Sequence, residues 1–159
     1  MVIYLIFIFI ILCFGFVLLF GAPYLPTHKK QSKIALEMLD LKSGETLYEL
    51  GCGDGTVLLL AESRGIKAVG YELNPILYLI AKIRCWNKKD ISVRLGNFWD
   101  VDLSPADAVY VFLLNRFMTK LDKKLSAELK SGTKLASYTF KIPDKNFVKA
   151  KSGVYLYKY

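Results

Sequence analysis

One short run constrains the fold of this chain more than any other part of it. Residues 49–55 read ELGCGDG, with glycine at every second position from Gly51 to Gly55. A β-prone segment at residues 46–50 leads into the run, and an apolar segment with helical character at residues 56–63 follows it. Glycines between a strand and a helix permit a tight turn whose backbone can approach a ligand closely. The run therefore predicts a strand–turn–helix unit with a ligand site at the turn.

The remainder of the chain alternates between strand and helix patterns. We predict helices at residues 32–41, 56–63, 75–86 and 117–129, and strands at 46–50, 68–71, 91–95, 108–113 and 134–140. Such alternation indicates an α/β fold, with a parallel Rossmann-like sheet and helices on both faces. Segments 146–151 and 154–159 flank Ser152 and Gly153, which predicts a C-terminal antiparallel hairpin.

The N-terminus has the composition of a membrane anchor. No side chain between Val2 and Phe20 is charged. A helix of this length, at about 1.5 Å per residue, nearly crosses a hydrocarbon core of roughly 30 Å. A cleaved signal peptide is the alternative, but no Lys or Arg precedes the apolar run. We predict a transmembrane anchor at residues 1–21, a Pro-containing connector at 22–31 and a folded domain at 32–159.

The charge distribution predicts how the chain is oriented. The formal net charge of +8 lies entirely after residue 27, and Lys29, Lys30 and Lys33 follow the apolar segment closely. By the positive-inside rule, the N-terminus is outside and the folded domain is cytoplasmic, or on the matrix side in a mitochondrion. A basic domain beside an anionic leaflet makes membrane lipid an expected partner.

Cysteine and histidine usage excludes several kinds of chemistry. The three cysteines show no paired spacing, and His28 is the only histidine. Neither a disulfide framework nor a zinc site is indicated, and no metal is expected. Histidine-based triads are excluded on the same ground.

The details of the glycine turn select among nucleotide-like ligands. A dinucleotide-binding turn has the spacing GxGxxG, which from Gly51 would need glycine where the chain has Thr56, and the Gly-Lys-Ser/Thr ending of a P-loop is also absent. Glu49 ends an apolar strand, where a buried carboxylate needs a cation. S-adenosyl-L-methionine supplies an ammonium for Glu49 and a carboxylate for the N-terminus of the following helix. The turn therefore favours this cofactor.

Two later segments extend the predicted cofactor site. Glu72 ends the second strand, 21 residues after Gly51, where a carboxylate can accept hydrogen bonds from both ribose hydroxyls. Asn97 follows the third strand and can meet the adenine amino group, with Phe98 along the ring; a turn-forming Asn is the alternative. The predicted cofactor-binding residues are Glu49, Gly51, Cys52, Gly53, Gly55, Glu72, Leu73, Asn97 and Phe98.

Several stretches together resemble a known family. They are GAPYLPT at 21–27, the glycine turn, GYELNP at 70–75, NFW at 97–99, LDKKL at 121–125 and ELKSG at 128–132. With the apolar N-terminus, they are similar to class I, seven-stranded methyltransferases, and among these to the small membrane-anchored protein lysine methyltransferases that modify the ADP/ATP carrier or the c-ring protein of ATP synthase. The resemblance implies transfer of a methyl group to a lysine ε-amine of a membrane-associated protein.

The reaction needs few protein groups. The sulfonium of the cofactor is already activated, so the enzyme mainly aligns the acceptor with the methyl carbon and excludes water. Asn115, after the fourth strand, is the candidate catalytic residue, because its amide could orient an amine. A lipid, quinone or other small membrane-borne acceptor is an alternative, as is a non-catalytic membrane module. A nucleic-acid acceptor is not expected, because the chain lacks the Asn-Pro-Pro-aromatic run typical of base amine methylation.

Overall fold

A computed structural model describes Met1, residues 3–5, 7, 8, 11 and 15, and the continuous stretch 29–159. Most of the predicted anchor at 1–21 and of the connector at 22–31 therefore lies outside the described residues, and both stay predictions. Within the parts of the chain that the structure describes, no helix is long and apolar enough to span a membrane.

The folded domain alternates strands and helices as predicted. The helices are α1 (Lys29–Leu39), α2 (Thr56–Glu62), α3 (Pro75–Arg84) and α4 (Asn115–Glu128), with a short 3-10 turn at Phe98–Asp100. The strands are β1 (Thr46–Leu50), β2 (Lys67–Glu72), β3 (Ile91–Leu95), β4 (Ala108–Val111), β5 (Lys134–Tyr138), β6 (Lys149–Lys151) and β7 (Val154–Lys158).

The strands form one seven-stranded sheet in the order β3-β2-β1-β4-β5-β7-β6. Strands β1 to β5 are parallel, whereas β7 is antiparallel to both β5 and β6. The predicted parallel sheet with a closing hairpin is confirmed. The chain proceeds outward from β1 to β3 and then returns to β4 on the other side of β1. In open α/β sheets, ligands bind at the carboxyl ends of the strands where the order reverses.

Left-handed backbone conformations set several element boundaries. Ser152 and Gly153 have φ values of 50° and 79°, as a two-residue turn between antiparallel strands requires. Helix α1 ends at Leu39 because Asp40 has a φ of 51°, and β5 ends at Tyr138 because Thr139 has a φ of 71°. The predicted helix at 32–41 and strand at 134–140 ran past these two residues, since neither Asp nor Thr predicts a left-handed conformation reliably.

Helices cover both faces of the sheet, as predicted. Helices α1, α2 and α3 pack on one face, where Leu39, Leu58 and Ala81 join a buried apolar cluster. Helix α4 packs on the other face through Leu121 and Leu125. The carboxyl ends of β1 and β4 lie between these two layers. The edge of the sheet where a ligand is expected, at the carboxyl ends of β1 and β4, therefore lies next to a core that helices cover on both faces.

Gly70, in the middle of β2, marks the closest approach between the sheet and the turn after β1. A Cβ atom built on Gly70 would lie 2.6 Å from Cδ1 of Leu58 and 2.8 Å from both Cβ and Sγ of Cys52. Real Cβ atoms do not approach other atoms so closely. Glycine at this position therefore allows the Cys52 side chain to pack directly onto the sheet.

We predict that Gly70→Ala destabilises the domain by about 1–3 kcal/mol, because the added methyl overpacks a filled core. Urea unfolding followed by circular dichroism measures the change. Gly96→Ala is the matched control, since a Cβ at Gly96 would meet nothing within 4 Å. Equal stability of Gly70→Ala and the wild type would show that the core between β2 and α2 has room for the methyl group.

Candidate active site

The turn after β1 has the conformation that its glycines predict. Gly51, Gly53 and Gly55 have φ values of 83°, 53° and 78°, in the left-handed region. A Cβ on Gly51 would meet nothing within 4 Å, whereas one on Gly55 would lie 3.3 Å from both Cβ of Ala81 and Sγ of Cys85. Gly51 therefore faces open space at the ligand edge. Gly55 allows the start of α2 to pack against α3.

Glu49 is a buried carboxyl group at the carboxyl end of β1. Glu49 is only 4% exposed, and its Oε2 atom has no hydrogen-bond partner among the described residues. Burial raises the pKa of Glu49 well above its usual value, and the charges of Asp54 and Glu72 raise it further. A buried polar atom without a partner is costly. The position fits a ligand that brings a cation to this carboxylate.

Glu72, at the end of β2, joins the glycine turn to the start of α3. Oε2 accepts a hydrogen bond from the backbone N–H of Gly53 at 2.8 Å, and Oε1 accepts one from the N–H of Asn74, also at 2.8 Å. Burial raises the pKa of this carboxyl group, and the N–H donors, Leu73 included, act against that rise. Each oxygen retains a further lone pair that can accept from a hydroxyl group.

Cys52 lies in the glycine turn with its side chain buried in the core. The residue is 4% exposed, and its side chain packs in the core below Gly70. Its N–H and that of Gly51 both donate to the carbonyl oxygen of Tyr71, at 2.9 Å each. Cys52 can therefore meet a ligand only through the backbone.

Asn97 and Phe98 lie after β3. Oδ1 of Asn97 accepts a hydrogen bond from the N–H of Trp99 at 3.2 Å and so caps the 3-10 turn. The rings of Phe98 and Trp99 are 4.7 Å apart. Asn97 thus acts as a turn-forming residue, which was the alternative to an adenine contact. The capping bond uses only one of its lone pairs, so a contact with a ligand stays compatible with it.

An arginine that the sequence did not reveal holds the glycine turn. Nη1 of Arg84, at the end of α3, donates to the carbonyl oxygen of Asp54 at 2.8 Å and to Oγ1 of Thr56 at 3.1 Å, and it also pairs with the Asp54 carboxylate. The carboxylate accepts the Thr56 N–H at 3.1 Å as well. Arg84 and Asp54 are 30 residues apart. No sequence pattern predicts such a contact.

A pair of aromatic rings lies at the carboxyl ends of β4 and β5. Phe112 follows β4 and Tyr138 ends β5, and because the two strands are neighbours the ring centroids are 4.7 Å apart. Asn115 is exposed and is the first residue of α4. Sequence reasoning named Asn115 but not the two aromatic residues, although an aromatic residue at the end of a buried strand is a signal that could have found them. Within the described residues, no group of three His, Cys, Asp or Glu side chains could hold a metal ion.

The fold is shared with a methyltransferase of known structure. The RNA methyltransferase from Salinibacter ruber, solved with S-adenosyl-L-homocysteine, superposes with a TM-score of 0.80 at 28% identity, over 84% of this chain and 93% of that one. The present chain is an S-adenosyl-L-methionine-dependent methyltransferase. Residues 49–149 match the ANTKMT methyltransferase domain, and the chain belongs to that family.

Two relatives are named for the residue that they modify. The protein-lysine N-methyltransferase of Saccharolobus islandicus is 36% identical over 151 residues, 85% of this chain and 92% of the relative. The adenine nucleotide translocase lysine N-methyltransferase of Mus musculus is 33% identical over 125 residues, 76% of this chain. The match covers 54% of the mouse protein, so the chain spans about half the length of that relative.

We predict that Glu49→Gln removes a pH dependence from the stability of the cofactor-free protein. The pKa of Glu49 is higher in the folded than in the unfolded chain, so the folded state binds the extra proton. The free energy of unfolding then falls as pH rises from the unfolded-state pKa towards the folded one. Thermal unfolding at pH 5 and pH 8 should show a larger fall in Tm for the wild type than for Glu49→Gln.

Glu37→Gln is the control for this experiment, because Glu37 is an exposed residue on α1. Its Tm should follow that of the wild type at both pH values. The same fall in Tm for the wild type and for Glu49→Gln would mean that the buried carboxyl group is not protonated preferentially in the folded state.

Proposed function

We propose that this chain methylates the ε-amine of lysine in a membrane-associated protein while residues 1–21 hold it in the membrane. The observation that carries the proposal is the buried Glu49 carboxyl group without a partner among the described residues, in a chain similar to enzymes named for lysine methylation. A cationic amino-acid moiety on the cofactor supplies the partner that Glu49 lacks.

The cofactor residues take distinct roles in this proposal. Glu49 binds the ammonium, and backbone N–H groups in the first turn of α2 bind the carboxylate of the methionine moiety. Glu72 accepts hydrogen bonds from the ribose hydroxyls through its remaining lone pairs. Asn97 meets the adenine amino group, with Phe98 along the ring. When bound, the cofactor supplies a methyl group on a sulfonium, which is an activated leaving group.

The acceptor amine approaches across the carboxyl ends of β4 and β5. Lysine has a pKa of about 10.4 in water and is largely protonated at neutral pH. An apolar setting favours its neutral form, which is the nucleophile. The Phe112 and Tyr138 rings supply such a setting, and in this proposal the amide of Asn115 orients the amine. These residues align the acceptor and exclude water.

The membrane part of the proposal depends on the apolar N-terminus and the charge distribution. Residues 2–20 carry no charge, and a basic segment begins at Lys29. We propose a single-pass protein with its N-terminus outside and its methyltransferase domain on the cytoplasmic side, or on the matrix side in a mitochondrion. The acceptor protein would then lie in or beside the same membrane.

We predict that Glu72→Ala weakens binding of S-adenosylhomocysteine by about 10- to 100-fold, because two hydrogen bonds to the ribose are lost. Isothermal titration calorimetry measures the affinity. Glu37→Ala, on the outer side of α1, is the control and should bind as the wild type does. Since Glu72 also holds the glycine turn, the Tm of each variant is measured alongside. Unchanged affinity would show that the ribose assignment is wrong.

A labelling experiment tests the acceptor. The protein is incubated with radiolabelled S-adenosylmethionine and with membranes from a strain that lacks its gene. We expect label on a protein band, at lysine after hydrolysis, and no label with the Glu49→Gln variant. Label in extractable lipid or in nucleic acid would contradict the lysine proposal, and so would tight cofactor binding without any transfer.

A further inference from the structure

Helix α3 carries apolar side chains on two opposite sides. Leu77, Ala81 and Cys85 form one stripe, which is buried against the sheet. Leu79, Ile83 and Trp86 form a second stripe, which continues into the turn after the helix and is 56%, 73% and 82% exposed. Residues two apart are separated by about 200° around a helix. The second stripe therefore points away from the core, and we call it the outer stripe.

Two further apolar side chains, on α3 and on the edge strand β3, are exposed. Ile80 on α3 is 40% exposed, and Leu95 on β3, an edge strand, is 54% exposed. A surface helix of a globular protein usually has only one apolar stripe, which faces the core. Exposed apolar patches with polar rims mark sites that bind proteins or membranes.

The side chains around the outer stripe are mostly basic. Residues 75–95 contain five basic side chains and one acidic side chain, Asp90. Arg84 and Lys88 pair with Asp54 and Glu62, on the side of α2. Lys82 and Lys89 are exposed. Helices that lie in a membrane interface combine an apolar stripe, flanking lysines and a tryptophan at the level of the headgroups.

The outer stripe also lies on the layer of the domain that follows the predicted anchor. Helix α1 begins at Lys29, directly after residues 1–28, and packs on the same face of the sheet as α3. Exposed lysines at positions 29, 30 and 33 add positive charge to this layer. If residues 1–21 cross a membrane, as the proposed function holds, the described part of the domain begins with α1, on the face of the sheet that also carries α3.

We propose that the outer stripe of α3 inserts into the headgroup region of an anionic lipid bilayer. Leu79, Ile83 and Trp86 occupy the boundary between headgroups and acyl chains, and Lys82 and Lys89 contact lipid phosphates. The folded domain thereby gains a second membrane contact besides the anchor. This contact fixes the orientation of the domain, so that the glycine turn and its bound cofactor stay close to the surface where the acceptor protein lies.

Tryptophan fluorescence in vesicles tests this contact on the full chain. The chain is reconstituted in phosphatidylcholine vesicles with brominated acyl chains, with and without anionic phosphatidylglycerol. We expect strong quenching in the anionic vesicles, because bromine quenches only tryptophan at its own depth. Trp86→Phe should lose more than half of this quenching, since Trp99, the other tryptophan, is half-buried and packs against the rings of Phe98 and Phe117.

Charge reversal supplies a matched pair of variants. Lys82→Glu with Lys89→Glu should reduce the quenching in anionic vesicles. Lys149→Glu with Lys151→Glu makes the same change on β6, at the opposite edge of the sheet, and should leave the quenching unchanged. All four substituted lysines are exposed, so each variant is expected to keep the affinity of the wild type for S-adenosylhomocysteine. An equal loss of quenching in both pairs would overturn the proposal.

The experiment separates this proposal from the proposed anchor and from the reaction. Sedimentation with vesicles measures membrane attachment through residues 1–21, and quenching measures contact between α3 and the bilayer. Label transfer to lysine measures the reaction. A chain that sediments with vesicles while Trp86 remains unquenched would overturn the bilayer contact and leave the anchor standing. A protein partner or a second copy covering the outer stripe would give that same result, because either would keep lipid away from Trp86.

Discussion

The structure depends on one costly feature, an acidic side chain buried at the point where the strand order of the sheet reverses. Glu49 is the penultimate residue of β1, which lies between β2 and β4, and one of its oxygens has no hydrogen-bond partner among the described residues. Such a group lowers the stability of a fold unless it serves a ligand. The glycine turn opens space directly beside it, at Gly51. The unpartnered Glu49 carboxylate and the open space beside Gly51 together make this edge of the sheet a site for a cationic ligand group.

The neighbouring residues make that edge rigid before any ligand binds. Glu72 fixes the turn from β2 through the N–H of Gly53, and Arg84 fixes it from α3 through Asp54. Gly70 lets the turn pack onto the sheet without a gap. A ligand therefore meets carboxylates that need little rearrangement, which lowers the entropic cost of binding.

The sequence predicted the parts of the structure that depend on local patterns. Strands β1 and β3 have the predicted bounds, and the turn of the C-terminal hairpin lies at Ser152 and Gly153 as predicted. The helix layers on both faces of the sheet were predicted from the alternation of strands and helices. Contacts between distant side chains could not be predicted, because they depend on how the elements pack. The Arg84 contact with Asp54 and the ring pair of Phe112 with Tyr138 are of this kind. Which cofactor atom each residue contacts stays a prediction.

A crystal structure of the full chain with S-adenosylhomocysteine tests the central claim most directly, because it places the ammonium and the ribose relative to two named carboxylates. We expect the ammonium within hydrogen-bond distance of the Glu49 carboxylate, at roughly 2.7–3.2 Å, and the ribose hydroxyls against Glu72. A ligand bound with Glu49 still unpartnered, or with its ribose away from β2, would contradict the claim that the buried carboxyl group exists to bind the cofactor.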